Sequence, residues 1–312
     1  MHNAKFLWLA LLAGTVSCGV RPTEEIVLPS DVVVVSPEAT APPLEEGVLY
    51  KKDSPYSTVI VTEDDDGLRT LWFEEGGARQ SVVKVGDPDH LALPYAQVMP
   101  VGLALVDRPQ RVLIVGLGGG TVPGFLHHHF PKMHIDVVDI DPDVVHVAKE
   151  YFGFQEDDTM RAFVDDGRRF IEKCRSRYDI IFLDAFGADS IPYTLTTREF
   201  LQATRDALTP RGIVVANIWS RRTNVLHDSM LLTYLDVFDQ LYMVEVRGAG
   251  NEILLAVPRE GKIDRAALAR RAGEISTQHE FRFDMGERVK YGFRKISKEG
   301  LDGVVLPDKT GP

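Results

Sequence analysis

The chain has 312 residues, of which 44% are hydrophobic and 26% are charged, so it can bury the core of one large domain or two smaller ones. Its formal net charge of −11 argues against a nucleic-acid partner, because phosphate backbones bind to basic surfaces. The two cysteines, Cys18 and Cys174, are too few for a disulfide framework.

Residues 1–18 predict an export signal. Lys5 precedes an apolar run over residues 6–16, which is shorter than the about 20 residues that a membrane-spanning helix needs and is typical of a secretory signal peptide. Residues 15–18, Thr-Val-Ser-Cys, are similar to a bacterial lipobox with Cys18 as the lipidated residue. We therefore expect an exported lipoprotein anchored at the membrane, with a plain signal peptide cut near Ser17 or an N-terminal membrane anchor as alternatives. The proline-rich residues 19–46 are predicted to be a linker.

Residues 47–101 predict a small N-terminal antiparallel β-domain. Three β-rich segments, 56–62, 68–73 and 79–85, are separated by the turn sequences Asp-Asp-Asp-Gly and Gly-Gly. Apolar residues spaced from Leu91 to Met99 then predict a helix that starts at the sequence Asp87-Pro88-Asp89.

From Arg111 onward, strands and helices alternate, which predicts an α/β fold. Short apolar segments predict buried parallel strands at 112–115, 135–138, 180–183 and 213–216. Helices are predicted at 122–130, 144–151, 168–174, 197–208 and about 225–239. Two final strands, 241–246 and 253–257, flank a turn and predict a closing hairpin. Such a sheet is typical of the Rossmann-like class I methyltransferase-type fold, which we assign to residues 102–258, with a C-terminal helix and tail over 259–312.

A glycine-rich loop and three strand-end acids predict a nucleotide site. The loop, residues 116–121, lies between a strand and a helix, where glycine lets the backbone approach a ligand. Asp139 ends the next strand about 20 residues later, where a carboxylate accepts hydrogen bonds from ribose hydroxyls; Asp141 is an alternative for this role. Asp166 and Asp184 end the following two strands, and Asp166 suits an adenine amino group. The predicted nucleotide-binding residues are Gly116, Gly118, Gly120, Asp139, Ile140, Asp166 and Gly167. The competing interpretation is that these acids merely cap the helices that follow them.

The histidine triplet, residues 127–129, invites a metal interpretation. Consecutive residues on a helix point in different directions, so the three side chains are not expected to converge on one ion. We expect no metal site.

Taken together, these segments resemble the spermidine synthase (polyamine aminopropyltransferase) family from about Gly47 to Pro258. Ser54-Pro55-Tyr56 is similar to the opening motif of the family, residues 76–80 to its strand turn ending in glutamine, and residues 138–141 to its ribose-binding motif. Residues 178–184 are similar to the strand that leads to its catalytic aspartate, and residues 184–200 resemble divergent family members fused to membrane transporters. The resemblance implies decarboxylated S-adenosylmethionine as donor, a small-molecule amine or another acceptor, a possible homodimer and a catalytic Asp184. It also implies a set of substrate-binding residues, Tyr56, Gln80, Tyr95 and Tyr193.

Several positions depart from the pattern of the family. Gly119 stands where the family has the aspartate that holds the amine end of the donor. Ser57 replaces a glutamine, and Ala96 and Gln97 replace a histidine or glutamine and a glutamate. The family has a second aspartate three residues after the catalytic one, where this chain has Gly187; Asp189 is the nearest candidate to take its place.

Three functions remain open on this basis. The first is the transfer of an aminopropyl or related group to an amine, with Asp184 as base or orienting group. The second is a methyltransferase that uses S-adenosylmethionine itself, which Gly119 favours because the carboxylate of that donor would meet no negative charge there. The third is a non-catalytic nucleoside-binding or partner-binding module, which export favours because the donor is made in the cytoplasm.

Overall fold

The computed structural model describes residues 47–186 and 191–308, all of which belong to one compact unit, Leu44–Pro312. The predicted leader with Cys18, the linker over 19–46 and Asp189 lie outside the described residues. Within the described ranges, no helix combines the length and the apolar character needed to cross a membrane.

The small N-terminal sheet has four antiparallel strands in chain order among the described residues: β1 (Val48–Asp53), β2 (Thr58–Glu63), β3 (Leu68–Trp72) and β4 (Arg79–Lys84). The sequence predicted the last three of these strands. The strand β1 was missed because it ends in Lys51, Lys52 and Asp53, which are exposed at the sheet edge.

The helix predicted to start at Asp87 and continue through Leu91 to Met99 is wrong. This segment contains turns and two 3₁₀ helices, Pro94–Gln97 and Met99–Leu105. Each of these helices has a proline in its first turn, Pro94 and Pro100. A proline lacks the backbone donor of a continuous α-helix and disfavours the helical conformation of the residue before it, so the chain restarts a short helix at each proline.

The large sheet has eight strands in the described part of the chain: β5 (Arg111–Val115), β6 (His134–Asp139), β7 (Met160–Val164), β8 (Tyr178–Leu183), β9 (Leu208–Trp219), β10 (Gln240–Glu245), β11 (Asn251–Val257) and β12 (Phe293–Lys295). Their order is β12-β10-β11-β9-β8-β5-β6-β7. The five strands from β9 to β7 in this order are parallel, whereas β11 is antiparallel to β9. The predicted fold class, a methyltransferase-type Rossmann-like sheet with a small antiparallel domain, is confirmed.

Seven α-helices cover the sheets in the described residues: α1 (Thr121–His129), α2 (Pro142–Tyr151), α3 (Gly167–Lys173), α4 (Arg198–Asp206), α5 (His227–Val237), α6 (Arg265–Gln278) and α7 (Met285–Gly292). Alternate residues of the central strands face opposite sides of the sheet. Val112 and Ile180 pack in the cluster that contains residues of α1, α6 and α7, whereas Leu113 and Ile181 pack with α3, α4 and α5. Because both faces are covered, the central strands are almost continuously apolar.

The small sheet is fixed against the large one through α2. Val144 and Val147 of this helix pack on Val59 and Leu71 of the small sheet, while other residues of α2 face the main core. Polar contacts reinforce this packing, including a 2.7 Å ion pair from Lys52 to Asp143. The small sheet therefore lies over the ends of β5 and β6, where the nucleotide site was predicted.

The C-terminal tail is more ordered than its sequence suggests. Besides the predicted helix near residues 264–275, it forms α7 and β12, and β12 pairs antiparallel with β10. Arg168 makes two 2.6 Å hydrogen bonds to the carboxylate of Asp308, which fastens the end of the tail beside α3. These contacts are long-range, so no local pattern predicts them.

Candidate functional site

The glycine loop brings the end of β5 directly against the end of β8. Gly116 has a φ of 100°, a conformation that favours glycine, and a Cβ atom here would overlap the backbone carbonyl of Asp184. Gly116 therefore sets two strand ends side by side at the carboxyl edge of the sheet, where α/β folds bind ligands.

Asp139 is held by the glycine loop and by its own turn. Its Oδ2 accepts a 2.8 Å hydrogen bond from the amide of Leu117, and its Oδ1 accepts a 3.0 Å hydrogen bond from the amide of Asp141. Burial raises the pKa of Asp139, and these backbone donors oppose that rise. Asp139 lines the cavity beside the loop, where a carboxylate can accept hydrogen bonds from the hydroxyls of a ribose.

Two acids near the strand ends do cap the helices that follow them. Asp141 accepts a hydrogen bond from Asp143 at the start of α2, and Asp166 accepts one from Arg169 in α3. Asp139 and Asp184 make no such cap. Asp166 nevertheless lines the same cavity as Asp139, so capping and ligand binding are compatible for this residue.

Asp184 is the centre of a hydrogen-bonded group formed by three parts of the chain. Asn217 of β9 donates from Nδ2 to Oδ1 of Asp184 over 2.9 Å, and Asn251 of β11 donates to Oδ1 of Asn217 over 3.0 Å. The hydroxyl of Tyr95, from the first 3₁₀ helix, donates a 3.4 Å hydrogen bond to the carbonyl of Gln80 and lies close enough to Asp184 to affect its pKa. The hydrogen bond from Asn217 restrains the carboxylate of Asp184, which lines the same cavity as Asp139.

The environment of Asp184 favours a carboxyl group that changes protonation near neutral pH. Burial raises its pKa to about 7, while the hydrogen bonds from Asn217 and Tyr95 oppose the rise. Burial and the adjacent carboxylate also raise the pKa of Tyr95 well above its usual range, so its phenol stays a donor. A carboxyl group with a pKa near 7 is matched to proton transfer at physiological pH.

A cavity of about 510 Å³ joins these groups, a volume within the range of small-molecule sites. Its floor is the carboxyl edge of the large sheet, and its roof is the small sheet, which contributes Tyr56, Arg79, Gln80 and Ser81. The predicted site residues that line it are Gly116, Gly118, Asp139, Ile140, Asp166, Gly167, Asp184, Tyr56, Gln80 and Tyr95.

Two residues predicted for the site lie outside the cavity wall. Gly120 begins α1, and a Cβ atom on it would lie 3.0 Å from the ring of Phe154. The hydroxyl of Tyr193 donates a 2.9 Å hydrogen bond to the carbonyl of Pro307 in the tail, while its neighbours Pro192 and Thr194 line the cavity. Gly120 therefore shapes the loop, and Tyr193 joins the tail to the segment that borders the cavity.

Among the lining residues that escaped the sequence analysis are Ser81, Asn217, Trp219 and Asn251. Asn217 is 3% exposed within an otherwise apolar strand, and a polar residue in such a strand is a signal that sequence reading can detect. Ser81 gives no such signal, because it reaches the site only through the packing of the small sheet.

The packing around Gly119 accounts for the glycine where the spermidine synthase pattern has an aspartate. The amide of Gly119 donates a 2.8 Å hydrogen bond to Oγ of Ser81. A Cβ atom at Gly119 would lie 2.9 Å from Cβ of Ser81 and 3.1 Å from the ring of Phe152. An aspartate does not fit there unless Ser81 moves, so the loss of the family carboxylate is built into the packing.

The histidine triplet lies away from this cavity. His127 hydrogen-bonds to Asp157 over 3.0 Å, while His129 contacts Asp89 over 2.5 Å. Contrary to the expectation that consecutive residues point apart, ligand atoms of His128 and His129 come within 4.8 Å of one another and of Asp89. Arg282 lies 3.9 Å from the same Asp89, and its positive charge opposes a cation there.

Comparisons with known proteins agree with this site. The sequence profile of the spermine/spermidine synthase domain matches residues 95–241. A polyamine aminopropyltransferase of Vibrio vulnificus is 35% identical over 216 residues, which are 67% of this chain and 72% of that protein.

Methyltransferases are similar to the same region. An eEF1A lysine and N-terminal methyltransferase of Bos taurus is 37% identical over 186 residues, or 54% of this chain, which spans only 26% of that protein. The crystal structure of human methyltransferase-like protein 13 in complex with SAH aligns with a TM-score of 0.55 and 30% identity, covering 67% of this chain and 98% of that chain. The relatives are thus transferases of two kinds, and the chain itself belongs to the spermine/spermidine synthase family.

Proposed function

We propose that this protein transfers an aminopropyl or related group from a decarboxylated S-adenosylmethionine-type donor to the nitrogen of an amine. The observation that carries this proposal is the partly buried carboxylate of Asp184, which accepts a hydrogen bond from Asn217 in the same cavity as Tyr95, Asp139 and the glycine loop. Asp139, with its two loop-facing oxygens, binds the ribose, and Asp166 lies where it can accept a hydrogen bond from the adenine amino group.

Asp184 acts on the acceptor amine. An alkyl amine has a pKa near 10.4 and arrives mostly protonated, so one proton must leave before the nitrogen can attack. The nitrogen pair then forms a bond to the carbon beside the sulfonium, the carbon–sulfur bond breaks, and sulfur keeps that pair as a neutral thioether. The proton passes from nitrogen to the carboxylate of Asp184, whose pKa of about 7 suits it to this role. Alignment of nitrogen, carbon and sulfur in one cavity supplies much of the remaining rate.

A second candidate is methyl transfer from intact S-adenosylmethionine. The packing of Ser81 against Gly119 favours it, because no carboxylate stands where the family holds the donor amine. The carboxylate of the intact donor would meet no like charge at that point. Asp184 would act on the amine in the same way, but the thioether product would be S-adenosylhomocysteine instead of methylthioadenosine.

Calorimetric titration with S-adenosylmethionine, its decarboxylated form and methylthioadenosine, followed by mass analysis of the products, separates the candidates. Tightest binding of the decarboxylated donor, with release of methylthioadenosine in the presence of an amine, supports aminopropyl transfer. Preference for the intact donor with release of S-adenosylhomocysteine supports methyl transfer. Binding of none of the three would refute both and leave a structural or partner-binding module.

We further propose that the protein is exported, carries a lipid on Cys18 and forms a homodimer, and that nucleic acid is not a partner. The lipobox-like residues 15–18 support export and the lipid, the net charge of −11 supports the absence of a nucleic-acid partner, and the homodimer rests on the family resemblance alone. Intact-mass analysis of the mature protein from its native membrane should show an N-terminal diacylglyceryl cysteine. A mature chain without lipid would refute the anchor.

A further inference from the structure

The strand order divides the cavity into two halves. The donor residues Asp139 and Asp166 follow β6 and β7, whereas Asp184, Asn217 and Asn251 belong to β8, β9 and β11 on the other side of β5. Since neighbouring strands lie about 4.8 Å apart, β11 lies four spacings, or about 19 Å, from β6. The half over β8, β9 and β11, which we call the far half, is therefore open to the acceptor.

Aromatic and apolar side chains line the far half. The rings of Phe186 and Trp219 face one another with centroids 6.2 Å apart. Leu195 and Ala249 line the same half, and the tip of the β10–β11 hairpin closes over β9 through a 2.8 Å hydrogen bond from the amide of Ser220 to the carbonyl of Gly250. An acceptor that packs against these side chains needs an apolar surface.

The charged residues nearest the far half turn away from it. Glu252 follows Asn251 on β11, so its side chain lies on the opposite face of the sheet, where it contacts His227 over 2.7 Å. Arg221, just after β9, pairs with Asp228 on that face. Of the described residues that line the far half, Asp184 is the one carboxylate, and the roof adds a cation, Arg79.

We propose that the acceptor is a monoamine, a single amino group on an apolar or aromatic body, rather than a linear polyamine. This inference rests on the proposed function, and it specifies the substrate of the same site. The reacting nitrogen lies at Asp184, and the body packs against the rings of Phe186 and Trp219, which line the far half. A second ammonium group in the far half would lose its hydration against these apolar side chains, and the described residues of that half offer no carboxylate besides Asp184 to replace the water.

Two amines of equal length test this directly: pentylamine and 1,4-diaminobutane, which differ only by a methyl group in place of the second ammonium. Phenethylamine extends the test to an aromatic body. Each is supplied with S-adenosylmethionine and, in parallel, with its decarboxylated form, and the released thioether nucleoside is quantified. We expect kcat/KM for both monoamines to exceed that for diaminobutane at least tenfold.

The outcomes separate this inference from the proposed function. Thioether release that is faster with diaminobutane than with pentylamine would overturn the monoamine inference and keep the transferase. Donor binding without thioether release from any of the amines would overturn both.

Substitutions in the far half test which residues determine the preference for a monoamine over diaminobutane. Ala249→Asp places a second carboxylate at the exposed hairpin tip and should raise kcat/KM for diaminobutane at least tenfold relative to pentylamine, whereas the matched Ala249→Asn should not. Trp219→Ala should raise KM for the monoamines about tenfold and leave donor affinity unchanged. Phe163→Ala, which removes a surface aromatic outside the cavity, is the control and should change neither. Equal effects of Ala249→Asp and Ala249→Asn on both amines would contradict the assigned charge pattern.

Discussion

Replacing Asp184 with asparagine tests the central residue of the site through both stability and activity. The substitution keeps the shape of the side chain and removes its charge. In the folded protein the pKa of this carboxyl is about 7, because burial disfavours the charged form, against an ordinary value of 3.8. Between these two values the folded state holds a proton that the unfolded state has lost, so the wild-type free energy of unfolding falls as pH rises.

The size of the change in the free energy of unfolding follows from the pH range between the ordinary and the folded pKa of Asp184. The slope is about 1.4 kcal/mol per pH unit, so between pH 4.5 and the folded pKa of about 7 the wild type loses at most about 3 kcal/mol that the variant keeps. Because Asp184 is only partly buried and lines an open cavity, solvent screening makes the loss smaller. The asparagine side chain of the variant also changes the hydrogen bonds at this position. That change is the same at both pH values, so it cancels when the difference between variant and wild type is compared at the two pH values.

The assay is urea unfolding of both proteins at pH 4.5 and pH 8. The free energy of unfolding of Asp184→Asn relative to wild type should be higher at pH 8 than at pH 4.5 by 1 kcal/mol or more. At pH 8, transfer activity should fall about 10²–10⁴-fold, the usual contribution of a general base, while donor affinity by calorimetry stays within about twofold. The same pH dependence of unfolding in both proteins, or full activity in the variant, would refute the role given to Asp184.

Three further substitutions probe the parts around it. Asn217→Leu removes a hydrogen bond that lowers the pKa of Asp184, so the rising limb of the pH–rate profile should move to higher pH; an unmoved limb would show that the two groups are not coupled. Asp139→Ala removes the carboxylate that accepts hydrogen bonds from the amide of Leu117 and from the ribose. Calorimetry should therefore show that the donor binds at least tenfold more weakly. An unchanged donor affinity would mean that the nucleoside binds elsewhere. Gly119→Asp brings a Cβ atom within 2.9 Å of Ser81 and should lower the free energy of unfolding by about 1–3 kcal/mol; Ser81→Gly in the same chain should restore most of it, and no loss in the single variant would contradict the packing argument.

The sequence predicted the donor side of the site better than the acceptor side. The glycine loop and Asp139 belong to a strand–loop–helix unit, in which residues close in sequence are also close in space. Asp184 was predicted as well, because its position at the end of an apolar strand follows from the same alternation of elements. The partners Asn217 and Asn251 were not, since they lie on later strands that meet Asp184 only through the sheet order.

At Tyr193 and in residues 87–105, a prediction from the sequence differs from the structure. A resemblance in sequence put Tyr193 in the substrate site, but a contact with Pro307, 114 residues away, directs its hydroxyl to the tail. Apolar spacing predicted one helix before Met99, where two prolines divide the segment into short 3₁₀ turns.

By itself the sequence determined the class of the fold, the edge of the sheet where the cavity lies, and the acids at the strand ends, because hydrophobic periodicity and glycine spacing encode local backbone geometry. The tertiary structure alone decided that Ser81 fills the space beside Gly119, that Asn217 and Tyr95 hold Asp184, and that Phe186 and Trp219 line the far half. These contacts join segments far apart in the chain, and their free energy depends on burial and distance that exist only after the sheets have packed together.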